Sequence, residues 1–225
     1  MSEEKNWEIE LKQGVDWFIE DKTNRTVEAL KKNGFDSFYF STKAMALERL
    51  LQLIPKGSRV GIAGSMTVRQ IGLDDALRKR GDQVDDIWAK KYSMEEQLAV
   101  RRRHFDADVF LTSSNAITED GKLINIDGLG NRVAAMVFGP KRVIIVAGVN
   151  KIVKDVESGI RRIREVSAPM NVKRFSGETP CTRDGHCDLQ TCQPPDRHCH
   201  ILSIIEKRPM KTETTVVLVG ENLGY

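Results

Sequence analysis

Within Asp108–Lys151, two apolar runs, Val109–Leu111 and Val143–Val146, bracket a polar, glycine-rich stretch. No other part of the chain limits its fold so strongly. Apolar runs of this kind read as parallel strands buried on both faces. The middle is rich in side chains that bind polar ligands: Ser113, Ser114, Asn115, Asp127, Asn131 and Arg132. Gly121, Gly128, Gly130 and Gly139 punctuate it, offering backbone angles and close approaches that other residues lack.

The flanks continue the pattern. Strand-like segments are Phe35–Phe40, Arg59–Ala63, Val84–Ala89, Asp108–Thr112, Arg142–Ala147 and Thr214–Val219, with Lys122–Ile126 as a short strand. Helical periods cover Thr42–Ile54, Thr67–Arg80, Ser93–His104, Gly130–Phe138 and Asp155–Val166, and Ser93 and Glu96 stand at capping-box spacing. Strands alternating with helices imply crossover units and an α/β domain with a mostly parallel sheet flanked by helices. The expected division is an N-terminal helical arm, 1–34, and one domain, 35–225. In the arm, Trp7, Leu11, Val15 and Phe18 recur at a helical period. Two helices are expected there, the second capped by Thr23 or Asn24, packing against the domain. A chain of 225 residues is long enough for a substantial core.

Charge excludes little but points away from nucleic acid. The net charge is only +3, and the densest basic run, Arg101–Arg103, falls in a helical pattern and reads as a solvated face. No apolar run approaches the roughly 20 residues of a membrane span. The polar, acidic N-terminus does not resemble a secretory signal, so a cytoplasmic protein is expected.

Ligands of parallel sheets sit outside the carboxyl ends of the strands, which singles out three loops. Gly64, Ser65 and Thr67 lie between a strand and a helix, where backbone N–H groups and hydroxyls favour an anion, or where Ser65 or Thr67 simply caps the helix. Neither a Walker loop nor a dinucleotide fingerprint is present, and no nicotinamide or flavin motif occurs. Thr112 to Asn115 leave a strand end together, more hydroxyl and amide groups than capping requires. In Asp127–Arg132, Arg132 can pair a ligand carboxylate or phosphate, or can pair Asp127 internally.

All four cysteines, Cys181, Cys187, Cys192 and Cys199, lie in the segment 180–200 with the spacing C-x5-C-x4-C-x6-C. In an intracellular protein such clustering points to metal rather than disulfides. Thiolates suit zinc or an iron–sulfur cluster, and His186, His198 and His200 are alternative ligands. No C-x-x-C knuckle is present, and three prolines make the segment loop-like.

These pieces together resemble the lactate-utilisation (LUD) domain family in its short, single-domain form. The matching stretches run in order: Gly64–Thr67, Ile71–Leu73, Ser114–Gly121, Asp127–Gly128, Gly130–Ala134, Phe138–Pro140, Gly148–Lys151, the Pro180–Cys181 cluster and Gly220–Tyr225. The family pattern implies a closer cysteine pair than Cys187-x4-Cys192. The resemblance implies a fold similar to sugar-phosphate isomerases and CoA transferases, with Gly64–Thr67, Asn115 and Asp127–Arg132 meeting above the sheet. It implies a part in oxidising lactate, a 2-hydroxy acid, to pyruvate beside iron–sulfur partner proteins. A carboxylate substrate would use Arg132, Lys151 or the Gly64 turn, with Asn131 beside them, and Asp127 or Glu221 would be the base. Three functions are expected from this. The first is an accessory or electron-transfer component with an iron–sulfur cluster. The second is an isomerase or transferase for a phosphorylated or CoA-linked substrate, with a structural zinc. The third is a non-catalytic module that docks iron–sulfur partners.

Overall fold

The computed structural model describes residues 6–225. The chain opens with α1 (Asn6–Lys32), one continuous helix of 27 residues rather than the two expected. The reason lies in Thr23 and Thr26. Their hydroxyls donate to the carbonyls of Ile19 and Lys22, one turn back, and so ride within the helix instead of starting one. Only the C-terminal part of α1 joins the core, through Val27 and Leu30. Trp7, Leu11, Val15 and Phe18 are exposed and do not pack on the domain.

The chain then alternates. β1 (Asp36–Phe40) leads to α2 (Lys43–Leu53), whose first turn is capped by the Thr42 hydroxyl accepting from the Met45 N–H. β2 (Arg59–Ile62) leads to α3 (Met66–Ile71) and α4 (Leu73–Arg80). Periodicity alone predicts a single helix over Thr67–Arg80. Gly72, in the left-handed region at φ 78°, ends one helix and begins the next. β3 (Gln83–Asp86) is shorter than expected, because the Asp86 carboxylate accepts from the Trp88 N–H and turns the chain. α5 (Met94–Arg103) begins with the capping box of Ser93 and Glu96 that the sequence announced.

β4 (Val109–Thr112), β5 (Ala116–Thr118) and β6 (Leu123–Asp127) follow, then α6 (Asn131–Val137) and β7 (Arg142–Gly148). After a tight turn at Val149–Lys151 come β8 (Ile152–Val153) and α7 (Val156–Arg162). α7 does not stop near Val166. It widens into a π turn over Ile163–Ser167 and continues as α8 (Ala168–Arg174). The cysteine segment contains one turn of helix, α9 (Pro180–Arg183), and β9 (Ile201–Ile205) and β10 (Glu213–Val219) close the fold.

Six strands form a wholly parallel sheet in the order β1-β10-β7-β4-β2-β3. Its centre is built from the apolar runs, in register at Val216↔Ile145 and Leu111↔Ile144. One face packs α2, α3 and α4 through Leu50, Val68 and Leu77. The other packs α1, α6 and a second sheet through Leu30, Met136 and Leu123. This second sheet, β8-β5-β6-β9, goes beyond the single short strand expected at β6; α7 and the π turn after it cover its far side through Ile160 and Ile163. The layered α/β architecture with a mostly parallel sheet is therefore as the sequence implied.

Candidate functional site

The carboxyl ends of β2, β4, β6 and β7 open onto one cleft of about 390 Å³. Gly64, Ser65, Thr67, Asn115, Asp127, Asn131, Arg132 and Lys151 all line it. Of the residues singled out in the sequence for substrate chemistry, Glu221 alone lies elsewhere. Its carboxylate accepts from the Lys43 N–H at 2.7 Å, at the start of α2.

Arg132 organises the floor. Its guanidinium donates to Asp127 Oδ1 (2.6 and 2.9 Å), Asn125 Oδ1 (2.7 Å), Asn115 Oδ1 (2.8 Å) and the Ser113 carbonyl (2.9 Å). The other Asp127 oxygen accepts from the Val133 N–H at the start of α6. Of the two uses the sequence left open for Arg132, the geometry carries the internal pair. Ser65 likewise spends its hydroxyl as the α3 cap, accepting from the Val68 N–H.

Lys151 stands differently. It is 3% exposed, and its Nζ donates to Ser113 Oγ at 2.9 Å and Thr67 Oγ1 at 3.0 Å. Burial, then the nearby guanidinium groups of Arg162 and Arg132, lower its pKa to about 7. The left-handed Gly224 closes over it: a Cβ there would stand 3.0 Å from Nζ and 2.5 Å from Thr67 Oγ1.

The opposite wall holds residues that the sequence did not single out for ligand binding, among them Arg101, which lines the cleft and does not lie on a wholly solvated face. Trp88, just past β3, lies between the guanidinium groups of Arg69 and Arg174, 4.6 and 4.5 Å from its ring centre. Arg101 and Arg174 line the cleft and are partly desolvated, which lowers both their pKa values. Among the described residues their side-chain hydrogen bonds go to neutral Gln97 and Asn171. His104 is also there, with Nε2 bonded to the Asp85 carbonyl, so the ring proton sits on Nε2 and Nδ1 keeps its lone pair. No motif marks these residues. They reach the cleft through the placement of α5 and through the continuation of α7 into α8, neither of which periodicity reveals.

The four cysteines are free and half-buried, and all line a second cavity, much smaller at about 20 Å³. Burial and then the other three cysteines push the Cys199 thiol up to about 11. Among the described residues, no three His, Cys, Asp or Glu side chains converge as a single ion requires. Ala168, Val172, His198 and Cys199 line this cavity and the cleft alike, forming the wall between them.

No helix among the described residues is long and apolar enough to cross a membrane. A search of curated proteins finds no match. Among solved structures, a DUF162 family protein from Deinococcus radiodurans has a similar fold. It aligns at TM-score 0.52 and 14% identity, over 89% of this chain and 98% of that one. The family model for the LUD domain matches residues 23–219, which take in both sheets, the cleft and the cysteine segment. The chain belongs to the LUD domain family.

Proposed function

We propose that this protein serves lactate utilisation, the process with which its family is associated, as an accessory electron-transfer component. In this reading the cleft takes a small 2-hydroxy or 2-oxo carboxylate and the cysteine cavity takes an iron–sulfur cluster. One observation carries it: a positively charged cleft and a four-cysteine cavity share a wall, with Cys199 in it.

The charge balance supports an anionic ligand. Arg101 and Arg174 bring cations to the cleft, while the carboxylate of Asp127 is already held by Arg132. An anion entering the cleft meets guanidinium groups whose own side-chain hydrogen bonds go to neutral amides. Ser113 and Thr67 supply hydroxyls beside Lys151 for a substrate oxygen.

Four thiols suit an iron–sulfur cluster or a zinc ion, and the electron-transfer role asks for the cluster. A tetrahedral zinc with sulfur at about 2.3 Å needs its four sulfurs within roughly 4 Å of one another. Here the four cysteines line one cavity of about 20 Å³, and among the described residues no three ligand side chains converge. An iron–sulfur cluster, when bound, supplies one-electron transfer, which zinc cannot. Arg164 and Arg197 also line the cavity and would offset the negative charge of thiolate ligands.

The test is anaerobic purification followed by an absorption spectrum, quantification of iron, sulfide and zinc, and an assay with lactate and an artificial dye. Brown protein, bleached by dithionite and silent with lactate alone, is expected. Colourless protein with stoichiometric zinc would instead favour an isomerase or transferase of a phosphorylated or CoA-linked substrate. Dye reduction by lactate without a partner protein would make the chain a dehydrogenase in its own right.

A further inference from the structure

Lys151 has surroundings that an electrostatic role does not explain. A buried ammonium normally has a carboxylate partner, because leaving it unpaired is costly. Here both hydrogen-bond partners are neutral hydroxyls, and the charged groups acting on it, Arg162 and Arg132, are cations. Among the described residues no carboxylate pairs with this amine. The chain at Leu223 and Gly224 closes directly over the side chain, with the Leu223 carbonyl 3.4 Å from Thr67 Oγ1, so the approach to Nζ is from the cleft. A lysine kept in a dry pocket as a free amine is the arrangement that makes lysine a nucleophile toward carbonyl carbon.

From this geometry we infer that Lys151 forms an imine with a 2-oxo acid bound in the cleft. This rests on the reading of the cleft as a site for small carboxylates. The Nζ lone pair adds to the C2 carbonyl carbon, and the carbonyl π bond breaks toward oxygen, which takes up a proton. The resulting carbinolamine loses that oxygen as water, the nitrogen gives up its remaining protons as needed, and a C=N bond forms. Amine and ketone go in; imine and water come out, with no change of oxidation state. The Ser113 and Thr67 hydroxyls, at 2.9 and 3.0 Å from Nζ, are placed to relay protons between nitrogen and oxygen. Arg101 and Arg174 in the opposite wall attract the carboxylate of the same molecule. A site of this kind does more than release a 2-oxo acid product: it holds the acid covalently and activates its C3 protons.

The experiment is trapping with sodium borohydride in the presence of pyruvate, on the intact protein as purified, followed by digestion and mass mapping of every lysine. Pyruvate binding is measured separately by calorimetry without borohydride. A reduced pyruvate adduct concentrated on Lys151 is expected. Near neutral pH an ordinary lysine is neutral only about once in a thousand molecules, so labelling should favour Lys151 by roughly that factor. Lys151→Met should lose the adduct and keep the absorption spectrum of the cysteine site; the wild-type map decides the matter even if that variant folds poorly. Pyruvate binding with no adduct on Lys151 would overturn the imine and leave the carboxylate cleft standing. Adducts spread evenly over exposed lysines would overturn it as well. Neither binding nor adduct would overturn both.

Discussion

At the scale of single residues, Arg132 and Lys151 are basic side chains in one cleft with opposite fates. Arg132 is held in a fork of carboxylate, amide and carbonyl oxygens, and removing it strips Asp127 Oδ1 of its two guanidinium donors, while Asn115 and Asn125 keep backbone donors. Arg132→Ala should therefore cost about 3–5 kcal/mol in urea unfolding, the range for breaking a buried pair. Unchanged stability would mean that the guanidinium is free for a ligand after all. Lys151 works the other way. Its folded pKa is depressed to about 7 from 10.5, so between those values the unfolded chain binds more protons, and stability rises with pH across that window. The penalty is fully present below pH 7 and gone by pH 10.5. Lys151→Met removes it, so the variant should gain most over wild type near pH 6. The gain there should be a few kcal/mol, since each tenfold loss of proton affinity is worth about 1.4 kcal/mol. It should shrink progressively toward pH 10. A difference that does not change with pH would show that the amine titrates normally.

Elements were legible where a local rule acts alone. β7 and β10 are long apolar runs buried on both faces, and α5 has its capping box. They stand where the pattern puts them. Elements whose limits depend on a distant partner were not. Thr23 has the residue type of a cap, yet nothing in the adjacent sequence says whether its hydroxyl will turn back to Ile19 or forward to a new helix. Gly72 could have continued a helix at a cost of about 1 kcal/mol. It breaks the helix instead, and α3 and α4 each bury a face, through Val68 and Ile71 and through Leu73 and Leu77. The exposed half of α1 shows the same limit. The period of Trp7, Leu11, Val15 and Phe18 does mark a helix, but an apolar stripe says only that something can be covered, not that this domain covers it.

At the scale of the whole molecule, the second sheet is what the sequence concealed, and it is what joins the cleft to the cysteines. β5 has three residues and β8 two, too short for any periodicity to register. β9 shows no pattern of its own because it is an edge strand with most of its side chains exposed. Yet β9 leads directly out of the cysteine segment and pairs with β6, so that Asp127, at the end of β6, lies opposite Ile201. Just before that pairing, the His200 N–H donates to the Asp127 carbonyl at 2.9 Å. Next to it, a Cβ on Gly128 would stand 2.9 Å from the His198 carbonyl oxygen. The cysteine segment and the cleft floor are thus pressed together, backbone against backbone, with only glycine between them. A methyl group at Gly128 meets a rigid neighbour, and the segment carrying His198 and Cys199 must yield. Gly128→Ala should lower the metal bound per chain and, through loss of the His200–Asp127 bond, weaken pyruvate binding about 5- to 30-fold, as expected for 1–2 kcal/mol. Gly14→Ala, which meets nothing within 4 Å, serves as the control and should change neither. If the Gly128 variant keeps its metal and its affinity, the two sites share a wall without being coupled through it. If both fall together, filling the cysteine cavity and shaping the carboxylate cleft are one structural event, and the cysteine segment belongs to the substrate site as much as to its cofactor.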